Sequence, residues 1–364
     1  MTMYIPKYTI TTEILKNVGL VEAAREVIDN APMVPAWEAK FRSEAALRAA
    51  HFGTALEGND LTLNEAKIIM DQVMETTSQA EQAGVVARPR DVQEVINYRR
   101  VLEYLEVRRE AGHYSKELLL AIHELITDKL VDERKSGKYR ETQVVLKNSV
   151  TGEVSFRPPN SQEVPSLMDD FLDWLNSDTG KSEHPIIRAG VAHYVLAAVH
   201  PFVEGNGRTA RAFATLVLFR EGYDIKRFFA LEEYFDSHAD DYFGSLMEVS
   251  NQSPTLSERD LTPWLVTFTR ALAIELTRIK EKIRELSVDV QIKKRQGKQV
   301  SLSERQMKIV EYLGTHGEIT MKEARSVLTM VSEDTILRDL KDLIDKEVIA
   351  KKGSTKAAKY VLKK

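Results

Sequence analysis

Residues 200–211 read HPFVEGNGRTAR, which is His200-Pro201-Phe202-Val203-Glu204-Gly205-Asn206-Gly207-Arg208-Thr209-Ala210-Arg211. The fourteen residues before this stretch, Ile186 to Val199, are apolar nearly all round, the pattern of a buried central helix. That helix should end at His200, because the residue before a proline is pushed out of the α region. Phe202 can turn inward and anchor the loop. Gly205 and Gly207 let the backbone come close to a ligand. Asn206 suits a cap for the next helix, expected from about Arg208 to Glu221, before Gly222. The start of such a helix carries unpaired N–H groups and partial positive charge, so it favours an anion. Arg208 and Arg211 are three apart and share a face near that end. Arginine forks match phosphate oxygens. Glu204 is placed to hold Mg²⁺ beside bound phosphates, and His200 to take a proton near neutral pH. Each feature alone is ordinary loop chemistry. Together in one turn they point to phosphoryl or nucleotidyl transfer to a hydroxyl. His193 lies seven residues before His200 in the apolar helix, without His-Glu-x-x-His spacing, and reads as packing rather than a zinc ligand.

Outward from this turn the body reads as mainly α. Ala45–Thr54, Leu63–Met74, Asp91–Arg109 and Lys116–Leu130 carry apolar residues at helical spacing. Pro165 opens another such segment. One stretch breaks the pattern: residues 142–159, TQVVLKNSVTGEVSFRPP, hold two β-prone runs around Thr151-Gly152 and read as a hairpin. It is either a surface cover or a strand edge open to a partner segment, and the sequence favours the cover.

The chain has 364 residues, enough for two domains. It contains no cysteine, which excludes disulfides and thiolate chemistry and fits a reducing compartment. No signal-peptide core and no apolar run of spanning length occur, so the expected location is the cytoplasm. The net charge of -4 conceals an asymmetry: residues 291–364 hold 17 basic and 10 acidic residues, leaving the remainder strongly acidic. The basic stretch 291–301, QIKKRQGKQVS, reads as a linker. The expected organisation is therefore an N-terminal helical region (1–110), a core (111–290), the linker, and a module from 302 to 364.

The motif HPFx(D/E)GNGRxxR is that of the Fic family, and residues 200–211 match it without a departure. The resemblance extends over most of residues 40–250. It implies an all-α core with the hairpin as a flap, and transfer of AMP from ATP to a Ser, Thr or Tyr hydroxyl of a target protein with release of pyrophosphate. By that resemblance His200 is the general base and Glu204 holds Mg²⁺. The Gly205–Gly207 backbone and the Asn206 side chain form the anion pocket, and Arg208 and Arg211 hold the β- and γ-phosphates. The hairpin clamps the target as an added strand. Glycine at 207 favours AMP transfer over phosphorylation. The family's adenine pocket maps to Tyr234, His238 and Tyr242, with His238 standing where asparagine is common.

A second resemblance lies in HFGTALEGN, residues 51–59, which is similar to the family's inhibitory helix, (S/T)xxxE(G/N). Glu57 and Gly58 match, whereas Gly53 stands at the Ser/Thr position, with Thr54 one place later. The implied brake is a Glu57–Arg211 pair on a helix of about 45–58. From Ser303 the pattern helix–helix–helix–hairpin resembles a winged helix-turn-helix. There Thr335, Arg338, Lys341, Lys351, Lys352 and Lys356 would meet DNA and five acidic residues on the same helix would oppose it; the alternative is a module for protein contact or dimerisation. The partners expected are ATP, a target protein along the hairpin, DNA through the C-terminal module, and a second copy in a homodimer. The competing function is a nucleotide-sensing, DNA-binding transcription regulator.

Overall fold

The computed structural model describes residues 4–31, 33, 35–147, 154–286, 302–328, 331–353 and 358–363. The expected turn at Thr151-Gly152, the linker 291–301 and Lys356 lie outside the described residues. The chain divides into two compact units: Met1–Arg25 with Arg42–Thr277, and Glu26–Phe41 with Arg278–Lys364.

The first unit is helical. After α1 (Thr12–Asp29) comes α2 (Pro35–Ala55), which starts ten residues before the apolar pattern suggests. A proline opens it, and within the first unit Ala45 and Ala49, four apart, are buried. It stops at Ala55, and the turn behind it closes on Gly58 at φ 89°. Next are α3 (Leu63–Asp71), opened by a Thr62–Glu65 capping box, and α4 (Thr77–Gln82). They are followed by α5 (Pro89–Val107) and α6 (Lys116–Thr127). The hairpin is two short antiparallel strands, β1 (Leu146–Lys147) and β2 (Val154–Phe156), with Leu146 opposite Phe156. Then come α7 (Val164–Asn176) and α8 (Asp178–Ser182).

The centre of the unit is α9 (Pro185–Val199), buried along nearly its whole length and packed on α10 (Asn206–Arg220). Helix α6 lies against both α5 and α10. The unit closes with α11 (Leu231–Ser237), α12 (Ala239–Ser250) and α13 (Thr262–Leu286) as far as Thr277; Trp264 of α13 donates to the Gly190 carbonyl at 2.7 Å.

In the second unit α14 (Glu304–His316), β3 (Glu318–Thr320), α15 (Met321–Val327), α16 (Glu333–Asp345), β4 (Ile349–Lys352) and β5 (Lys359–Leu362) follow in order. The sheet is antiparallel in the order β3-β5-β4. Strand β3 is an addition to the two-stranded pattern read from sequence. Three residues squeezed between a helix end and the Thr320 cap carry no legible period, and pairing with β5 supplies their partners. Ile336, Leu340 and Leu343 are buried as their spacing requires. Two of the five acids on α16 are occupied within the unit: Asp339 accepts from Arg305 at 2.7 Å, and Asp342 from Gln306 at 2.6 Å. A third, Glu333, lies 3.4 Å from Arg325 on the surface. Among the described residues no helix is long and apolar enough to cross a membrane.

Candidate active site

The loop between α9 and α10 is built on a left-handed residue at each end. His200, the C-cap of α9, sits at φ 51°, ψ 58°, and Gly205, the N-cap of α10, at φ 74°, ψ 13°. The proline effect ends the helix as expected, but His200 takes the left-handed region rather than an extended one, a conformation that costs a non-glycine residue about 1–2 kcal/mol. Phe202 is fully buried. Its N–H donates to the Asn206 side-chain oxygen and its carbonyl accepts from the Asn206 amide, both at 2.9 Å. One expectation about Asn206 is thereby corrected. It is the first residue of α10 rather than its cap. Its side chain closes the loop through Oδ1 and one amide N–H.

The His200 ring is half-buried, with Nδ1 3.2 Å from the Ala197 carbonyl. A carbonyl only accepts, so Nδ1 carries the proton and Nε2 presents a lone pair. Burial pushes the imidazole pKa down to about 4. The Ala197 bond and the Glu57 charge pull it up, and Arg140 pushes it further down. The ring is therefore neutral at pH 7.

Above the start of α10 sits a carboxylate. Glu57 accepts from Arg208 Nε at 2.9 Å and from Arg211 Nη2 at 2.8 Å, and both arginines are buried. Burial alone would raise the Glu57 pKa. The two guanidiniums outweigh it and hold the carboxyl below the usual range. A Cβ on Gly207 would stand 2.6 Å from Glu57 Oε1, so the carboxylate rests on the bare backbone where the anion pocket was expected. Arg211 also donates to the Gly53 carbonyl at 2.7 Å. Thr54 does not replace the missing hydroxyl at Gly53: its Oγ1 bonds back to the Ala50 and His51 carbonyls, both at 3.0 Å. The space a side chain at 53 would need is taken by Tyr98, whose ring carbon would lie 3.1 Å from a Cβ there. The Tyr98 hydroxyl donates to buried Glu232 at 2.7 Å.

Glu204 is about one-third exposed at the loop surface, paired with Arg90 and 3.6 Å from Arg208. Among the described residues no cluster of three or more His, Cys, Asp or Glu surrounds it. Glu204 thus offers a single carboxylate, the donor type of a hard cation that takes its other ligands from substrate and water.

The three residues expected around adenine do not form one site. Tyr234 and His238 stack, with centroids 4.1 Å apart and planes at 13°. Tyr242 belongs elsewhere: it is buried, with its hydroxyl 3.1 Å from His193 Nε2 and 3.4 Å from Arg211 Nη1. One helical turn separates it in sequence from His238, but the turn points it into the core behind Arg211. His193 is fully buried and stacks on Trp264 at 4.6 Å, so it packs as expected while also bracing Tyr242.

Sequence reasoning missed several residues that set this geometry. His123, on α6, stacks on Phe202 with centroids 3.7 Å apart. Its Nδ1 accepts from the Gly137 N–H and its Nε2 faces the Glu204 carbonyl, both at 3.0 Å, which fixes a neutral tautomer. Burial, with Arg208 adding to it, pushes its pKa down to about 3. Glu94 lies 3.3 Å from Arg208. Arg140 holds the carbonyls around His200. None carries a local signal, because each acts across 60 or more residues of chain or from inside an ordinary helix pattern. A cavity of about 650 Å³ lies on the hairpin side, lined by Val154, Phe156, Pro159, Leu167, Leu256 and Arg259 among others. No residue of the 200–211 stretch lines it; the space over Gly207 is filled by Glu57.

Fold and site together define a helical protein whose loop between two central helices sets two buried arginines against an internal carboxylate. Residues 113–218 match the model of the Fic/DOC family. It is similar over 99% of its length, at 25% identity and a TM-score of 0.64, to the crystal structure of a Fic family protein from Desulfovibrio desulfuricans G20, 98% of which is covered. Among curated proteins it is 31% identical over 172 residues to protein adenylyltransferase fic-1 of Caenorhabditis elegans, covering 46% of this chain and 31% of that one. It is 27% identical over 241 residues to protein adenylyltransferase Fic of Nematostella vectensis, covering 62% and 50%. The chain thus spans a third to a half of the length of these curated relatives.

Proposed function

We propose that the protein transfers AMP from ATP to a hydroxyl of a target protein, and that Glu57 holds it in a restrained state. The observation that carries the reading is the Glu57 carboxylate bound by Arg208 and Arg211 on the bare backbone of Gly207. An anion already sits where two arginines and a helix start would take phosphate oxygens.

With that carboxylate withdrawn, Arg208, Arg211 and the first N–H groups of α10 are open to a triphosphate tail. Glu204, turned from Arg90, is the residue that would hold Mg²⁺; such an ion neutralises phosphate charge when bound. The neutral His200 accepts the proton of the incoming hydroxyl at Nε2 while Nδ1–H stays on the Ala197 carbonyl. A new bond forms between the hydroxyl oxygen and the α-phosphorus, the bond from that phosphorus to the bridging oxygen breaks, and pyrophosphate leaves. Tyr234 and His238 supply a stacked edge for the base, and the hairpin offers its backbone to the target segment.

The test is full-length Glu57→Gly protein with Mg²⁺ and ATP labelled at either the α- or the γ-phosphate. Label retained on protein from the α position alone, well above wild type, is the expected result. Retention from the γ position would mean phosphorylation, and no retention from either would end the transferase reading.

The second unit supports an accessory reading as a winged helix that contacts DNA. Asp339 and Asp342 are turned to partners within the unit, which leaves Arg338 and Lys341 exposed on α16. Duplex binding that weakens steeply with salt is expected, and no binding at low salt would remove it.

A further inference from the structure

We propose that Arg140 is a positioning residue for His200: it ties the stem of the hairpin to the catalytic loop, so that a target seated on the hairpin meets an imidazole already set in place. The inference rests on the transferase reading above. Arg140 stands just before the hairpin and 60 residues before His200, and it is 2% exposed. Among the described residues it has no carboxylate within ion-pair distance. Its guanidinium is spent on main-chain carbonyls of two separate segments. Nε donates to His200 at 2.8 Å and Nη2 reaches Val199 at 3.4 Å, both at the end of α9. Nη2 also donates to Pro159 at 2.6 Å and Nη1 to Thr142 at 3.2 Å, the two ends of the hairpin segment. The Arg140 backbone N–H adds a bond to the Pro201 carbonyl at 2.8 Å.

Three physical points make this more than a buried staple. An unpaired buried cation is costly, and here only carbonyl dipoles compensate it. The residue it grips, His200, is in a left-handed conformation that persists only when its surroundings impose it. Release of the His200 and Val199 carbonyls by loss of the guanidinium would let that turn relax and swing the imidazole. Nε, Nη1 and Nη2 together reach four carbonyls from one planar fork, whereas the three donors of an ammonium sit on one nitrogen and cannot hold all four.

The role separates Arg140 from the phosphate machinery. Its contacts avoid Arg208, Arg211 and the start of α10, so ATP affinity should not depend on it.

The experiment uses full-length Glu57→Gly protein as parent, with Arg140→Lys and Arg140→Ala made in it. Three quantities are measured: self-labelling from α-labelled ATP at saturating ATP, ATP affinity by calorimetry, and hydrogen exchange of peptides covering 141–147, 199–206 and the body of α9. The expected result for Arg140→Lys is a loss of about tenfold or more in labelling rate, since displacement of a reacting group by an ångström is enough for that. ATP affinity should stay within about twofold. Exchange should rise in the hairpin stem and the 199–206 loop, with α9 as protected as in the parent.

Parallel loss of ATP affinity and of α9 protection would reduce Arg140 to a general fold contact. Unchanged labelling or unchanged exchange in the lysine variant would overturn the proposal. If Arg140→Ala fails to fold, the lysine variant decides. If the parent itself does not label, the transferase reading fails, and the exchange measurement still decides whether Arg140 tethers the two segments.

Discussion

Glu57 and His200 are the two side chains on which the proposed chemistry turns, and each is set by its neighbours. The Glu57 carboxylate offsets two buried guanidiniums, so Glu57→Gly exposes both to each other and to a low-dielectric surround. Because a quarter of the Glu57 side chain meets solvent, the expected loss of stability is at the low end for a buried pair, about 1–3 kcal/mol. Thermal melts should show this loss in the absence of nucleotide and a larger ATP-induced stabilisation than in wild type, since ATP then supplies the missing anion. Equal ATP shifts in the two proteins would mean that Glu57 does not compete with phosphate. For His200, burial moves the imidazole pKa to about 4. The acid limb of kcat/KM for AMP transfer in the Glu57→Gly protein should therefore fall well below pH 6, rather than near the ordinary imidazole value of 6.5. An acid limb centred at 6.5 would place the ring in open solvent during the reaction.

At the level of elements, α2 presents Glu57 only because its last turns pack closely against α5. Gly53 is the contact point, with Tyr98 filling the space where a serine or threonine side chain would stand. Gly53→Ser should thus destabilise the fold by about 1–3 kcal/mol through overpacking and should not deepen inhibition. Chemical denaturation and an AMP-transfer assay together check this; a more stable, more inhibited variant would contradict it. Helix α12 contributes from behind. Its Tyr242 joins His193 on α9 to Arg211 on α10. Tyr242→Phe leaves the buried His193 Nε2 without a partner, and a loss of about 1–3 kcal/mol is expected in the same denaturation measurement. These two departures from the sequence reading have one cause. Spacing along a helix says which residues share a face, but not which other helix that face meets.

For the whole molecule, acid sensitivity follows from the buried imidazoles. His123 and His200 titrate at about 3 and about 4 in the folded chain, against 6.5 unfolded. Below 6.5 the unfolded state binds protons first, so their contribution is complete above that value and falls as the pH drops towards 4 and then 3. Glu57 acts lower: its pKa is held below 4.5, so its stabilisation is present above 4.5 and lost as pH falls through the folded value. Melting temperatures measured from pH 7 to pH 4 should therefore decline, less steeply in His200→Ala than in wild type. Identical slopes would show that His200 titrates normally.

The residues of 200–211 and the order of the helices around them were legible in the amino-acid sequence, because glycine, proline and apolar periodicity act through the local backbone. So was the approach of Glu57 to Arg211, by resemblance to a family pattern. The positions of Tyr242, of the Asn206 side chain and of Tyr98 against Gly53 were decided only by tertiary packing, as was the grip of Arg140 and His123 on the loop. Each depends on which partner lies across the core and on the requirement that buried donors and acceptors be paired, and neither condition is written in any short stretch of chain.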